Sequence, residues 1–266
     1  MKRNLTALFL LFVLGQSLMA QYNRTVQNRP YTDLRPFHFG ILIGTHMQDL
    51  ELMNVGPQVI TGEDGTETTR LITCDLDRYD QGFNVGVLGE FRLSEHFQFR
   101  IAPAMYFGAR HISFHDFTPS GQSEGLSEAG EGGDAAGEGE TQRMLSRQSL
   151  KSAYISCAFD LIFASKRNGN LRPYMMAGVN PMINLTGRPN DYIRLKRNDV
   201  FAEVGAGCDV YLPFFKLRPE LKFMFGLTDC LDRDHPNHLT DQNMRAYANS
   251  VSKAVSKMVV LTFYFE

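Results

Sequence analysis

The chain predicts an all-β fold, an eight-stranded, antiparallel, up-and-down transmembrane β-barrel, on three observations. Eight segments alternate apolar and polar residues with period two. The gaps between them alternate short and long, and an export signal precedes them. Successive side chains of a strand point to opposite sides, so each segment has one apolar wall and one polar wall. In a closed sheet that means lipid outside and a polar lumen inside.

Residues 1–20 read as a signal peptide. Lys2 and Arg3 give a positive start, Leu5 to Leu14 an apolar run, and Ala20 a small residue before a cut at Gln21. The run is far short of the roughly 20 residues a spanning helix needs, so the segment is a cleaved signal and not an anchor. No Cys follows the cut, so a lipid anchor is not indicated. Removing the signal leaves 25 basic residues against 29 acidic over 246, a near balance that argues against nucleic acid as a partner. The hydrophobic content, 43%, is that of an ordinary soluble protein. Barrels hide this way because half of each strand faces the lumen.

Residues 21–36 form a polar leader, expected to be extended on the periplasmic side, and the barrel occupies 37–266. The first strand, about 37–47, alternates Phe37, Phe39, Ile41 and Ile43 with His38, Gly40, Leu42 and Gly44. A long gap, about 48–80, holds a Gly-Glu-Asp-Gly turn at 62–65. The second strand, about 81–93, puts Phe83, Val85, Val87, Gly89, Phe91 and Leu93 on one face; only Leu88 breaks the polar face. The third, about 97–111, carries Phe97, Phe99, Ile101, Met105 and Phe107 outward. Pro103 removes a ladder bond there, predicting a bulge or bend. A low-complexity insert at 119–142, with seven glycines and six carboxylates, cannot bury a core and should be a mobile outer loop.

The fourth strand, about 148–164, alternates Ile155, Cys157, Phe159, Leu161 and Phe163 with Tyr154, Ser156 and Asp160. Asn168-Gly169 then makes a tight turn. The fifth spans about 171–185, the sixth about 199–212, the seventh about 216–228 after Pro213-Phe214-Phe215, and the eighth about 254–266. The short connections are therefore 2–3, 4–5 and 6–7, and the long ones 1–2, 3–4, 5–6 and 7–8. A barrel with short periplasmic turns, long outer loops and both termini in the periplasm requires that order. The chain also ends on Leu261, Phe263 and Phe265, which looks like the aromatic C-terminal signal of outer-membrane barrels, with Glu266 following.

A soluble eight-stranded ligand barrel would point its apolar residues inward. The charges decide against it: Glu90, Arg92, Arg100, Asp160, Arg172, Glu203, Asp209, Arg218, Glu220 and Lys222 share single faces, with Arg110 beside them. Eight strands enclose a lumen just wide enough for side chains to fill. Interleaved ion pairs are then the natural filling, which predicts a plugged barrel and no pore.

Chemistry is sparse. His38, His46, His111, His115, His235 and His238 lie on or near strand ends, but no Gly-x-Ser-x-Gly occurs and no spacing pairs a nucleophile with a base. Asp229 to His238 offers cation-ligand types or, equally in kind, a solvated polar loop. No catalytic, cofactor or metal site is predicted, and no CxxC pair is present. Cys74 falls in the first outer loop and Cys230 at the start of the last. Strands 1 and 8 pair on closure, so the two loops are neighbours and a Cys74–Cys230 disulfide is expected. Cys157 and Cys208 fall on apolar faces of non-adjacent strands, as free thiols acting as small hydrophobes.

Asn168-Gly169-Asn170-Leu171-Arg172-Pro173-Tyr174 with Ala177-Gly178, and Leu217-Arg218-Pro219-Glu220-Leu221-Lys222 with Gly226-Leu227, resemble the PorT-type outer-membrane barrels of the Bacteroidota. The resemblance covers essentially the whole mature chain; the acidic loop at 119–142 matches no motif of the family. It implies an outer-membrane component of the type IX secretion system, serving export of proteins that carry a C-terminal signal domain. Implied partners are outer-membrane lipid and other secretion-system subunits, a larger translocon barrel among them. No catalytic residue carries over. A stand-alone small barrel for envelope integrity or adhesion is the alternative.

Overall fold

The protein is described from a computed structural model that covers residues 26–61, 67–117, 143–186, 191–238 and 242–266. The signal peptide at 1–20 and the acidic insert at 119–142 lie outside the described residues. Ten strands are present among them: β1 (Phe37–Asn54), β2 (Pro57–Thr61), β3 (Glu67–Tyr79), β4 (Gln81–Arg92), β5 (Phe97–Asp116), β6 (Arg143–Ala164), β7 (Leu171–Asn184), β8 (Asn198–Tyr211), β9 (Lys216–Gly226) and β10 (Val251–Phe265). Eight of them close a ring in the order β1-β4-β5-β6-β7-β8-β9-β10, all antiparallel. The seam between first and last strand runs from Ile41↔Phe265 to Asn54↔Val251.

The period-two pattern resolves into a wall. Phe39, Ile41, Ile43, Phe83, Val85, Val87, Met175 and Leu221 face out and are exposed, while Asn84, Leu88, Glu90, Arg100 and Asp160 face in and are buried. Phenylalanines crowd the rim that carries the short turns. Phe37 packs on Phe91 at 5.0 Å and Phe97 on Phe163 at 5.3 Å, with Phe215 against Phe265 at 5.9 Å. Such an apolar band with an aromatic girdle is what a bilayer solvates. Val87→Arg, near the middle of β4 on this wall, should therefore cost about 2–4 kcal/mol in vesicles. The same change at exposed Val59, on β2 beyond the band, should cost nearly nothing; urea unfolding of both variants measures the contrast.

Two features depart from expectation. The gap at 48–80 is largely strand. β1 continues to Asn54, β2 and β3 form a hairpin, and β3 lies on the upper part of β5, from Ile72↔Asp116 to Tyr79↔Arg110. β3 and β4 thus act as one bent strand with Asp80 at the corner. β5 and β6, 20 and 22 residues long, reach roughly 65–70 Å at ~3.3 Å per residue, far more than a bilayer core needs. At Pro103 no bulge forms. Pairing with β4 lapses between Gly86↔Ala104 and Gly89↔Ile101 with the same register on both sides, because only one amide is missing.

The loop end is closed by an apolar cluster rather than by solvated loops. Leu50, Ile72, Cys74, Ile112, Phe114, Leu150, Ile193, Leu231 and Val251 meet there, with the short helices His235–His238 and Gln242–Ala248 packed over the top. Phe114, Tyr192 and Tyr247 meet edge to face at 5.4–5.6 Å. Cys74 and Cys230 are both in this cluster, yet the expected disulfide is not formed and both are free thiols. Asn54 brackets the Cys74 backbone, and the Cys230 thiol donates to the Ala254 carbonyl at 3.2 Å. Burial pushes the Cys230 thiol up to about 12 and raises that of Cys74 as well, so both stay protonated. Cys157 and Cys208 are half-buried thiols on β6 and β8.

Candidate functional site in the filled lumen

From the turn end upward, the lumen is filled in layers. The leader forms the first. Its described part, residues 26–36, is not extended: a 3₁₀ turn at Thr32–Leu34 folds it across the barrel mouth. The Tyr211 hydroxyl donates to Asp33 at 2.6 Å, with Arg172 and Arg167 at 3.6 and 3.8 Å from the same carboxylate. Arg167 stacks on the Tyr211 ring at 3.6 Å and donates to the carbonyls of Asn28 and Arg29. Gly169, with φ +61°, makes the tight turn after Arg167 that presents Asn170 to the leader, where it accepts from the Asn28 amide at 2.9 Å. Asp33→Ala removes a hydrogen bond to a charged group, worth about 1.5 kcal/mol. The leader should then open about tenfold more often, and chymotrypsin should cut after Tyr31 faster by a similar factor.

The second layer centres on Arg218, fully buried on β9. It donates to Glu90 of β4 and to Asp209 of β8 (2.5 Å) and lies 3.3 Å from Glu266. Glu266 also pairs with Lys216 and sits 3.6 Å from His38. The third layer centres on Arg100 of β5. It grips Glu220 with two bonds of 2.8 and 2.9 Å and Asp160 with one of 2.9 Å. Tyr174 and Tyr264 donate their hydroxyls to the same Glu220, at 2.7 and 3.0 Å, and Arg100 lies over the Tyr264 ring at 4.4 Å. Lys222 bridges Glu203 (3.6 Å) and Glu220 (3.8 Å). Cross-barrel bidentate pairs of this kind tie non-adjacent strands together and leave no aqueous path through the section they fill.

Above the charges comes an apolar layer of Leu42, Leu88, Tyr106, Tyr154, Met182, Phe201, Met224, Met258 and Val260. Leu88, the exception to its polar face, belongs to it. A polar layer follows, with His46, Gln48, Arg110, Ser152 and Ser256, beneath the apolar cap.

Of the ten predicted lumen charges, Glu90, Arg100, Asp160, Glu203, Asp209, Arg218, Glu220 and Lys222 meet in these two ionic layers. Arg172 is buried but belongs to the leader contacts, donating to Ser165 O and Glu95 O. Arg92 is corrected: it is half-buried at the rim and donates to the Ser94 and Leu34 carbonyls. It lies two residues, one inward position, past Glu90, the last one on β4 that the lumen encloses. Lys216 and Glu266 were missed, although continuing the alternation past Leu217 and Phe265 turns both inward. Leu261, Phe263 and Phe265 lie along the outward face of β10 beside β1 and β9.

The remaining candidates are engaged structurally. Asp229, suggested as a cation ligand, accepts from the amides of Leu231 and Ala254 and from Arg233. His235 contacts the Asp191 carbonyl at 2.6 Å. His111 pairs with Asp80 at 2.6 Å and stands opposite Ser149 in register, but no hydrogen bond joins Ser149 to it. Among the described residues no cluster of metal-ligating side chains occurs.

Among solved structures the chain is similar to the outer membrane protein OprG of Pseudomonas aeruginosa (12% identity, TM-score 0.44, covering 85% of this chain and 93% of that one). It is also similar to Neisserial surface protein A (9%, 0.40, 86% and 98%) and to the outer membrane protease OmpT of Escherichia coli (8%, 0.35, 86% and 95%). Comparison with curated proteins finds no match. The family described as "Outer membrane protein beta-barrel domain" matches residues 19–232, about four-fifths of the sequence. A match of that extent, on strands that close into a ring with an apolar outer wall, means that the chain belongs to the outer-membrane β-barrel domain family and resides in the outer membrane.

Proposed function

We propose that this barrel is a non-enzymatic accessory or scaffold subunit of the type IX secretion system, needed for export of proteins bearing a C-terminal signal domain, secreted proteinases and surface proteins among them. The observation that carries the scaffold reading is the lumen, filled by two ionic layers and covered at both ends. A barrel so filled offers no conduit to a polypeptide, so its work falls to surfaces: the outer loops, the short turns, the leader and the lipid-facing wall. The link to this secretion system is the resemblance of segments 168–178 and 217–227 to PorT-type barrels. In this reading residues 1–20 are removed on export, and the leader and both termini lie in the periplasm. The acidic segment 119–142 is an outer loop. The partners are lipid and other secretion subunits, a larger translocon barrel among them.

Deletion of the gene tests the proposal. Loss of signal-bearing proteins from the surface with an intact envelope is the expected result. General leakage with normal export would replace it with a stand-alone barrel for envelope integrity or adhesion. Lipase or protease activity of the purified barrel would overturn the non-enzymatic assignment.

A further inference from the structure

Among the described residues, one buried cation of the lumen has no carboxylate within ion-pair distance. Arg110 of β5 is 1% exposed. Its Nε donates to Gln48 Oε1 at 3.0 Å and its Nη2 to Ser256 Oγ at 2.8 Å, and the Tyr154 hydroxyl lies within hydrogen-bonding reach of the guanidinium; all of these partners are neutral. No carboxylate among the described residues comes within 4.0 Å of its guanidinium, whereas Arg100, Lys216, Arg218 and Lys222 each have one. Asp199, which interacts with Arg110 electrostatically from beyond 4.0 Å, accepts its hydrogen bonds from the Thr228 hydroxyl and the Val200 amide. Buried charges are costly unless paired, so an isolated guanidinium is the exception that needs a partner.

Arg110 also lines a cavity of about 280 Å³ in the barrel wall. The β6–β7 ladder ends at Tyr154↔Asn184. Beyond it Leu185 and Thr186 still bond the Ala153 and Lys151 carbonyls, and the Gln148 side chain then holds the Ile193 backbone with two bonds. The cavity lies between these ties. Lys151, Arg194 and Asn184 line it with donors, and Asp191 is its one carboxylate among the described residues. Arg194 is 3.8 Å from Asp232, while Lys151 has no carboxylate among the described residues within 4.0 Å. At ~30 Å³ per water the volume holds about nine waters, room for a phosphate or carboxylate group together with its ester substituent or hydration shell.

We propose that this cavity binds a small anion, a phosphate or carboxylate group, whose charge rests against Arg110 with Lys151 at the entrance. The phosphate chemistry has two sources, a soluble phosphate or the headgroup of a lipid beside the wall. The full chain, refolded in neutral detergent, is titrated with inorganic phosphate at constant ionic strength while its melting temperature is followed. In a second arm it is placed in phosphatidylcholine vesicles with and without phosphatidic acid. A saturable rise with inorganic phosphate, absent in Arg110→Gln and needing at least tenfold more phosphate in Lys151→Gln, is the expected result. A rise only with phosphatidic acid, lost in the same variants, assigns the anion to lipid and also supports the site. No rise in either arm, or an equal rise in wild type and both variants, overturns it. If Arg110→Gln does not fold, Lys151→Gln decides, its side chain being exposed and outside the lumen; an unchanged midpoint then overturns the site.

Discussion

Replacing Arg218 by methionine should destabilise the barrel by about 3–5 kcal/mol, the range for breaking a buried ion pair by removing one partner. Methionine fills much the same space, so packing changes little. The loss is electrostatic: Glu90 and Asp209 keep their burial and lose the guanidinium that both of them use. Glu266 keeps Lys216 and so loses less. Urea unfolding of the refolded protein in phosphatidylcholine vesicles measures the change. The triple variant Glu90→Gln, Asp209→Asn, Arg218→Met should recover a large part of the stability, since neutral partners are cheaper to bury than orphaned charges. A single-variant loss below 1 kcal/mol would show that water reaches this layer.

Gly86→Val should have a comparable or larger effect by a different route. Gly86 faces Ala104 across the β4–β5 pair. A Cβ there would lie 2.3 Å from the Pro103 carbonyl oxygen and 2.7 Å from the Ala104 Cα, both backbone atoms of the neighbouring strand. Side chains can step aside, but a ladder strand cannot without parting from its other neighbour, and overpacking of this kind costs on the order of 3 kcal/mol or more. The pairing beside Gly86 already lapses at Pro103, so fewer bonds resist separation. The expected result is loss of the compact band that a folded barrel shows in unheated gel samples. Gly89→Ala is the control: its nearest neighbour is the Phe37 ring at 3.4 Å, and it should fold normally.

The misread segments show where reading from the chain stops. Thr68 to Cys74, rich in β-branched residues, carries a strand pattern of its own, with Ile72 and Cys74 fully buried. Nothing local says that this stretch lies back on β5, so its place in the sheet is not legible from the sequence. Arg92 and Glu220 alternate equally well on their strands. Only the height at which the barrel ends decides that one touches loop carbonyls and the other accepts from Arg100, Tyr174 and Tyr264. The cysteine pair was placed in one neighbourhood from strand order alone. Whether two sulfurs meet depends on side-chain direction, and Cys230 points to Ala254.

Period-two alternation and the short–long gap order determined the ring and its strand order, because each follows from chain geometry that every strand obeys; the charges gathered on single faces determined which wall meets lipid. The layering of the lumen was decided only in three dimensions. Arg100 and Glu220 are 120 positions apart, and Asp33 meets Tyr211 across 178. Those partners are chosen by closure of the sheet and by the depth at which each inward side chain stops. So are the folded leader, the apolar cap and the neutral surroundings of Arg110, none of which any local stretch of sequence encodes.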